Sequence, residues 1–170
     1  SAPELDYIAV AKGSVAPDPQ PMGTRYEAEE QTYISTVPAK ENPFASGKQT
    51  VSGFSSKNYY LTVPLQTLEK TGPYQISVTY SNPDASALAL YYSINGRVHQ
   101  NPIQLRTTAS PNIFVTDTFT AYLDNGLNDL GFFLDQADGS GLEIDFVTVT
   151  DKTEEELIAE DAAEVEQLIN

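Results

Sequence analysis

The feature that most restricts this chain is a series of short segments in which apolar residues recur at every second position. In "YQISVTY" (74–80), Tyr74, Ile76, Val78 and Tyr80 share one face; in "LALYYSI" (88–94), Leu88, Leu90, Tyr92 and Ile94 do. "NYYLTVPL", "FTAYLD", "LGFFLDQ" and "LEIDFVTV" continue the series. Period two is the repeat of a half-buried strand. With Gly, Pro and Asn between the segments, it predicts an all-β sandwich over residues 24–150. "SINGRV" carries Asn95-Gly96, a strong two-residue hairpin signal, and "LDNGLN" (123–128) carries a second Asn-Gly turn. A chain of 170 residues suits one such domain with attached segments.

The flanks read differently. Residues 11–23, "AKGSVAPDPQPMG", form a linker stiffened by three prolines in five residues. Before it, "ELDYIAV" (4–10) repeats "EIDFVTV" (143–149) position by position. Two origins are open: residues 4–10 close a preceding sandwich of the same kind, or they add an edge strand to this one. Beyond residue 150 a helix is expected. Thr153 and Glu156 make a capping box, and Ile158, Ala162, Val165 and Ile169 form one stripe. That acidic amphipathic helix (151–170) either docks on the sandwich, leads to another domain, or binds a partner.

Charge excludes several partners. The net charge is −15, of which residues 151–170 carry −7 through eight acids and one Lys. A phosphate backbone or an anionic membrane needs clustered Lys and Arg, so neither nucleic acid nor membrane is an expected partner. No apolar run approaches the ~20 residues that span a bilayer. No leader-like stretch opens the sequence, so the expectation is a chain that is intracellular or already processed. The chain has no cysteine, which removes disulfides, thiolate metal sites and a thiol nucleophile.

Little in the sequence suggests catalysis. The single histidine, His99, follows the Asn95-Gly96 turn and reads as a surface hairpin residue. No Ser sits in a nucleophile elbow. One histidine and no cysteine cannot build an ordinary zinc site. "DGSGL" (138–142) lacks the Lys and helix of a phosphate loop. Acids are plentiful, but no pair stands out as a glycosidase couple. One acidic group does stand out. In "YEAEE" (26–30), Glu27 and Glu29 are expected on one face of the first strand, and Asp145 interrupts the apolar last strand. First and last strands of a sandwich often pair. Three carboxylates meeting there would repel unless a hard cation, most readily Ca²⁺, lay among them; alternatively they are simply exposed at strand edges.

The ordered set "YEAEE", "ASGKQTVSGF", "NYYLTVPL", "TGPYQISVTYSNP", "LYYSING", "VTDTFTAYLDNGLNDLGFFL" and "GLEIDFVTV" resembles carbohydrate-binding modules of family 35, or the related family 6, over about residues 24–150. The resemblance implies a jelly-roll-like, galactose-binding-like sandwich without catalysis of its own. It implies a structural Ca²⁺ on Glu27, Glu29 and Asp145, with backbone carbonyls around Lys48–Thr50 completing the shell. It also implies a sugar site in the loops at one end. Candidates there are the rings of Phe54, Tyr59 and Phe114 and the polar groups of Asn82, Asn112 and Asp138. These modules commonly place a Trp before the "Leu-x-x-Gly-x-Asn" strand, and this chain has none. The expected function is a secreted module that binds a polysaccharide, somewhat more readily a neutral one, and tethers a covalently attached catalytic or tandem module. The alternative is an interaction or spacer domain of a multidomain extracellular protein.

Overall fold

The structure, a computed structural model, describes residues 24–135 and 141–151. The expectations for residues 4–10, the linker, the terminal helix and Asp138 fall outside these residues. The described part is almost entirely β. The strands are β1 (Thr24–Glu27), β2 (Ala39–Glu41), β3 (Gln49–Val51), β4 (Tyr60–Pro64), β5 (Gly72–Ser81) and β6 (Leu88–Ile94). They continue with β7 (Arg97–Val98), β8 (Ile103–Leu105), β9 (Val115–Leu123), β10 (Asp129–Leu134) and β11 (Glu143–Asp151). Two short 3₁₀ helices, Ala28–Ile34 and Ser46–Lys48, interrupt the series.

The strands form two antiparallel sheets. One runs β2-β3-β11-β5-β9, with β1 also on β11; the other runs β4-β10-β6-β7, with β8 on β6. Their facing sides are the apolar positions that the period-two pattern picked out. Ile76, Val78 and Tyr80 from β5 meet Leu61 and Val63 from β4, Leu130 and Phe132 from β10, and Leu90 from β6 in one core. Burying each such side chain is worth roughly 1.5–3 kcal/mol, so this interior dominates the stability. His99 is exposed, as expected, and its ring stacks on Tyr92 at 4.8 Å between centroids.

The two Asn-Gly turns behave differently. Asn95 and Gly96 both take positive φ (53° and 85°) and join β6 to β7 as a tight hairpin. The 123–128 segment instead carries the chain from β9 in one sheet to β10 in the other. There Asn128, nearly buried, donates to the Asp124 carbonyl at 2.8 Å and accepts from Asn95 Nδ2 at 3.0 Å.

Strand β11 pairs with β1 and β3 along one edge and with β5 along the other. Its register against β5 slips from Ile144↔Tyr80 to Phe146↔Thr79, leaving Asp145 as an extra, bulged residue. A bulge shifts the alternation by one. Ile144, Val147 and Val149 therefore all reach the core, and Phe146 turns to the other side under the Arg25 guanidinium, 3.6 Å from its ring centre.

At the start of β11, Glu143 is buried but fully partnered. It accepts from Thr50 Oγ1 at 2.8 Å, Asn42 Nδ2 at 3.0 Å and Lys40 Nζ at 2.9 Å. Burial alone would raise its pKa, but these hydrogen bonds outweigh it and hold the carboxyl below the usual range. Asn42 also donates to the Pro111 carbonyl at 3.1 Å, tying the 42–48 loop to the 106–114 loop. Glu143→Ala is expected to cost about 2–3 kcal/mol, since it leaves buried donors unpaired; urea denaturation of both proteins checks it.

Candidate metal centre and ligand-binding loops

Glu27, Glu29 and Asp145 converge. One carboxylate oxygen from each lies within 4.8 Å of the other two. The pairing of β1 with β11 sets Glu27 against Phe146, beside the bulged Asp145. The route for Glu29 differs from the sequence expectation. Strand β1 ends at Glu27, and Glu29 belongs to the 3₁₀ helix Ala28–Ile34. The two acids thus do not alternate along one strand; the turn at Ala28, fully buried in the core, brings Glu29 back over Asp145.

A third segment covers the cluster. The Ser46 N–H donates to Asp145 Oδ2 at 2.9 Å. Gly47 follows at φ +61°, and a Cβ there would lie 3.1 Å from Glu29 Oε2. Only glycine makes this close approach and left-handed turn without strain. Lys48 also takes a positive φ, and its carbonyl accepts from Asn42 N at 2.9 Å. No sequence signal singled out Ser46, Gly47 or Arg25, although a Gly two residues before a strand is the pattern of a chain reversal. Arg25 Nε pairs with Glu27 Oε2 at 2.5 Å, and its Nη2 donates to Ser46 Oγ.

The electrostatics leave the group unbalanced. Three carboxylates face one guanidinium, a deficit of two positive charges. Glu27 Oε1, Glu29 Oε1 and Asp145 Oδ1 are each buried with no hydrogen-bond partner among the described residues. Unpartnered buried carboxylate oxygens are costly. Burial pushes Glu29 up to about 7 and Asp145 up to about 7, and the neighbouring carboxylates push the same way while Arg25 pulls back. The donor set fits a divalent, oxygen-seeking ion. At Ca–O distances of ~2.3–2.6 Å, ligand oxygens on opposite sides of the ion stand up to ~5 Å apart; Mg²⁺, at ~2.0–2.1 Å, would need them closer. Such an ion would neutralise the cluster and tie β1, the 46–48 turn and β11 together.

The sugar-site candidates scatter. Phe54 is fully buried in the core and offers no ring face to solvent, because the chain after β3 turns it inward. Asn82 is also fully buried. Its Nδ2 donates to the carbonyls of Ser86 at 3.1 Å and Leu105 at 3.2 Å, and its Oδ1 accepts from Asp84 N at 3.2 Å. Its own carbonyl accepts from Thr108 N at 2.7 Å, so it fastens the 82–87 loop to the end of β8 and to the 106–114 loop, and its side-chain amide is taken up within the protein. Tyr59 is exposed at the start of β4, Asn112 is exposed, and Phe114 is half-buried. Two exposed apolar residues of the same end were not anticipated, Phe44 (61% exposed) and Ile113 (51%). The Phe44 backbone N–H donates to Asn42 Oδ1 at 3.0 Å, which ties down the turn that carries this exposed ring. "Asn-Pro-Phe" places an apolar ring in a turn, and that was the readable signal.

No family model matches the sequence, and no curated protein matches it. Solved structures do. A family 35 carbohydrate-binding module from Clostridium thermocellum is 24% identical, with a TM-score of 0.64, covering 75% of this chain and 98% of that one. A family 35 module from Paenibacillus barcinonensis is 20% identical, with a TM-score of 0.64, covering 76% and 100%. An exo-β-1,3-galactanase from Phanerochaete chrysosporium, solved with galactose, is 18% identical with a TM-score of 0.65; the match covers 76% of this chain and 29% of that enzyme. The chain thus has the β-sandwich fold of family 35 carbohydrate-binding modules, matched over essentially their whole length.

The charge cluster gives a pH prediction for the protein held in chelator. Between about pH 5 and 7 the folded state keeps protons on Glu29 and Asp145 that the unfolded chain has lost, so stability falls as pH rises through this window. The thermal midpoint is expected to drop from pH 5 to pH 8, and Asp145→Asn is expected to flatten that slope; melting curves across pH check both.

Proposed function

We propose that this chain is a non-catalytic, calcium-stabilised carbohydrate-binding module that holds an attached glycan-active enzyme on its polysaccharide. The observation that carries the reading is the match to whole family 35 modules rather than to fragments of a larger unit. The jelly-roll-like class, the extracellular setting and the covalent link to a catalytic or tandem module belong to the same proposal. Tethering of this kind raises the local concentration of enzyme on an insoluble substrate without any new chemistry.

In this reading Ca²⁺ occupies the Glu27, Glu29 and Asp145 cluster and acts structurally. The three buried oxygens without partners support it. The ion need not touch sugar: it fixes the 46–48 turn, and that turn closes the loop that displays Phe44. The sugar site lies where the 42–48, 82–87 and 106–114 loops meet. Phe44, Ile113 and Phe114 supply apolar faces for the CH side of a pyranose, and Asn112 supplies hydrogen bonds to hydroxyls. Asn82 and Phe54 support these loops from below. With a net charge of −15, a neutral sugar is favoured over a uronate.

The second reading, a spacer or interaction domain, draws on the absence of any Trp. A glycan array separates the two. Binding to a neutral glycan, weakened about tenfold or more by Phe44→Ala with an unchanged melting midpoint, supports the module; no binding to any glycan supports the spacer. Saturating Ca²⁺ at pH 7.5 is expected to raise the midpoint by several degrees, and Glu29→Gln to abolish the rise. An unchanged midpoint on chelation removes the metal assignment.

A further inference from the structure

The outer face of the β4-β10-β6-β7 sheet carries a groove of about 420 Å³. Its walls follow from the register. Phe133 on β10 pairs with Tyr60 on β4 and with Tyr91 on β6, so three aromatic rings stand side by side across three strands. Tyr91 and Phe133 lie nearly parallel, with centroids 5.6 Å apart and planes 16° apart. Tyr60 remains 39% exposed, and Val98, 55% exposed on the β7 hairpin, closes the far side. Beside the aromatic row, Gly131 pairs with Thr62 and with Ser93. A glycine inside a strand marks a place where another backbone can come close. Asp129 lies at the Pro64 end of the groove, and Lys57 lies beyond the Tyr60 end. Lys57 forms no ion pair among the described residues.

The chain itself supplies a segment of matching chemistry. Residues 16–21 read Ala-Pro-Asp-Pro-Gln-Pro. Each proline has φ fixed near −65°. Ala16, Asp18 and Gln20 each precede a proline, which disfavours the helical region for them too. The whole stretch is thus restricted to extended backbone before it touches anything. Such segments keep their carbonyls unpaired and dock on aromatic-lined grooves at little entropic cost. The segment also starts in the right place. Thr24, the first residue of β1, lines a cavity with Gln66 and Thr67, just past Pro64, the partner of Asp129. The chain before β1 therefore joins the sandwich at the Asp129 end of the groove. From Asp129 to Phe133 is ~14 Å at strand rise. From Thr24 back to Asp18 is ~19 Å of extended chain. That length rounds the sheet edge and brings Asp18 to the level of Tyr60 and Lys57.

From this geometry we infer that the groove holds the chain's own proline segment, residues 16–21, with its rings on Tyr60 and Phe133 and Asp18 paired with Lys57. The hydroxyls of Thr62 and Ser93, which line the groove, donate to its free carbonyls. The short tether to Thr24 gives the segment an effective concentration in the millimolar range, so it outcompetes the same segment of a second copy. The docked segment runs from the Asp129 end towards Leu134, which pairs with Leu90 just after the 82–87 loop. It acts as a splint: residues 1–15 are directed towards the candidate sugar loops rather than left to swing. The inference does not rest on the module reading, and either can fail without the other.

The experiment is NMR of the ¹⁵N,¹³C-labelled full chain in Ca²⁺ at two protein concentrations tenfold apart. The inference expects nuclear Overhauser contacts from the ring protons of Pro19 or Pro21 to those of Tyr60 and Phe133, equally strong at both concentrations. A Pro17→Ser, Pro19→Ser, Pro21→Ser triple variant is expected to lose them and to shift the amides of Thr62, Ser93 and Gly131, while Ser77 and Thr118 in the other sheet stay unmoved. Lys57→Glu is expected to weaken the contacts at least twofold, and adding Asp18→Lys to restore them. Lys57 is exposed and the other changes lie outside the sandwich strands, so the fold is kept. A charge swap that restores nothing would overturn the placement of Asp18. Absence of the contacts in the unmodified chain would overturn the inference, as would contacts that grow with concentration, which put the segment of one copy in the groove of another.

Discussion

The structure depends on how the last strand is held. β11 pairs with β5 along one edge and with both β1 and β3 along the other, so the start of the domain, its first excursion and its end meet in a single strand. Asp145 is the extra residue in that strand. Its bulge lets Ile144, Val147 and Val149 all face the core, and it sets a carboxylate among Glu27, Glu29 and the Ser46 N–H. Packing and electrostatics meet at this residue: the register that completes the interior also creates an unbalanced charge.

That coupling explains why two acids two residues apart behave so differently. Glu143 is as buried as Asp145, but three donors surround it and its carboxyl stays ionised readily. Asp145 has one backbone donor and two acidic neighbours, and burial dominates. Glu143 is a finished structural contact that locks the 42–48 loop. Asp145, with Glu27 and Glu29, is unfinished: three carboxylates face one arginine, and a divalent ion would supply the positive charge that they lack. Both acids act on the same loop, one from its base and the other beneath its 46–48 turn, so the display of Phe44 is linked to the charge state of the last strand.

Much of this was legible in the chain. The period-two segments identified the facing residues of both sheets, because a half-buried strand leaves the same mark wherever it lies. The three acids could be named because acids in apolar strands are unusual, and the pairing of first and last strands brought them together. The loops of the candidate sugar site were less legible. Phe54 and Asn82 carry the residue types of a sugar site, but both are buried, one as core and one as a staple between loops. Phe44 carries the exposure expected of such a site and was not singled out. Exposure is a property of how loops fold over one another, and residue type records it poorly.

The class of fold, the core positions and the acidic group could be read along the chain, since each rests on local periodicity or on the sign of a charge. Tertiary structure alone decided the rest. It set the bulge at Asp145, the 3₁₀ turn that carries Glu29 into place, and the assignment of β9 and β10 to opposite sheets despite the Asn-Gly turn between them. It also set the row of Tyr60, Phe133 and Tyr91 beside Gly131, residues from strands 30 and more positions apart. Period two says that a residue faces out; only the pairing register says which residue of another strand it stands beside.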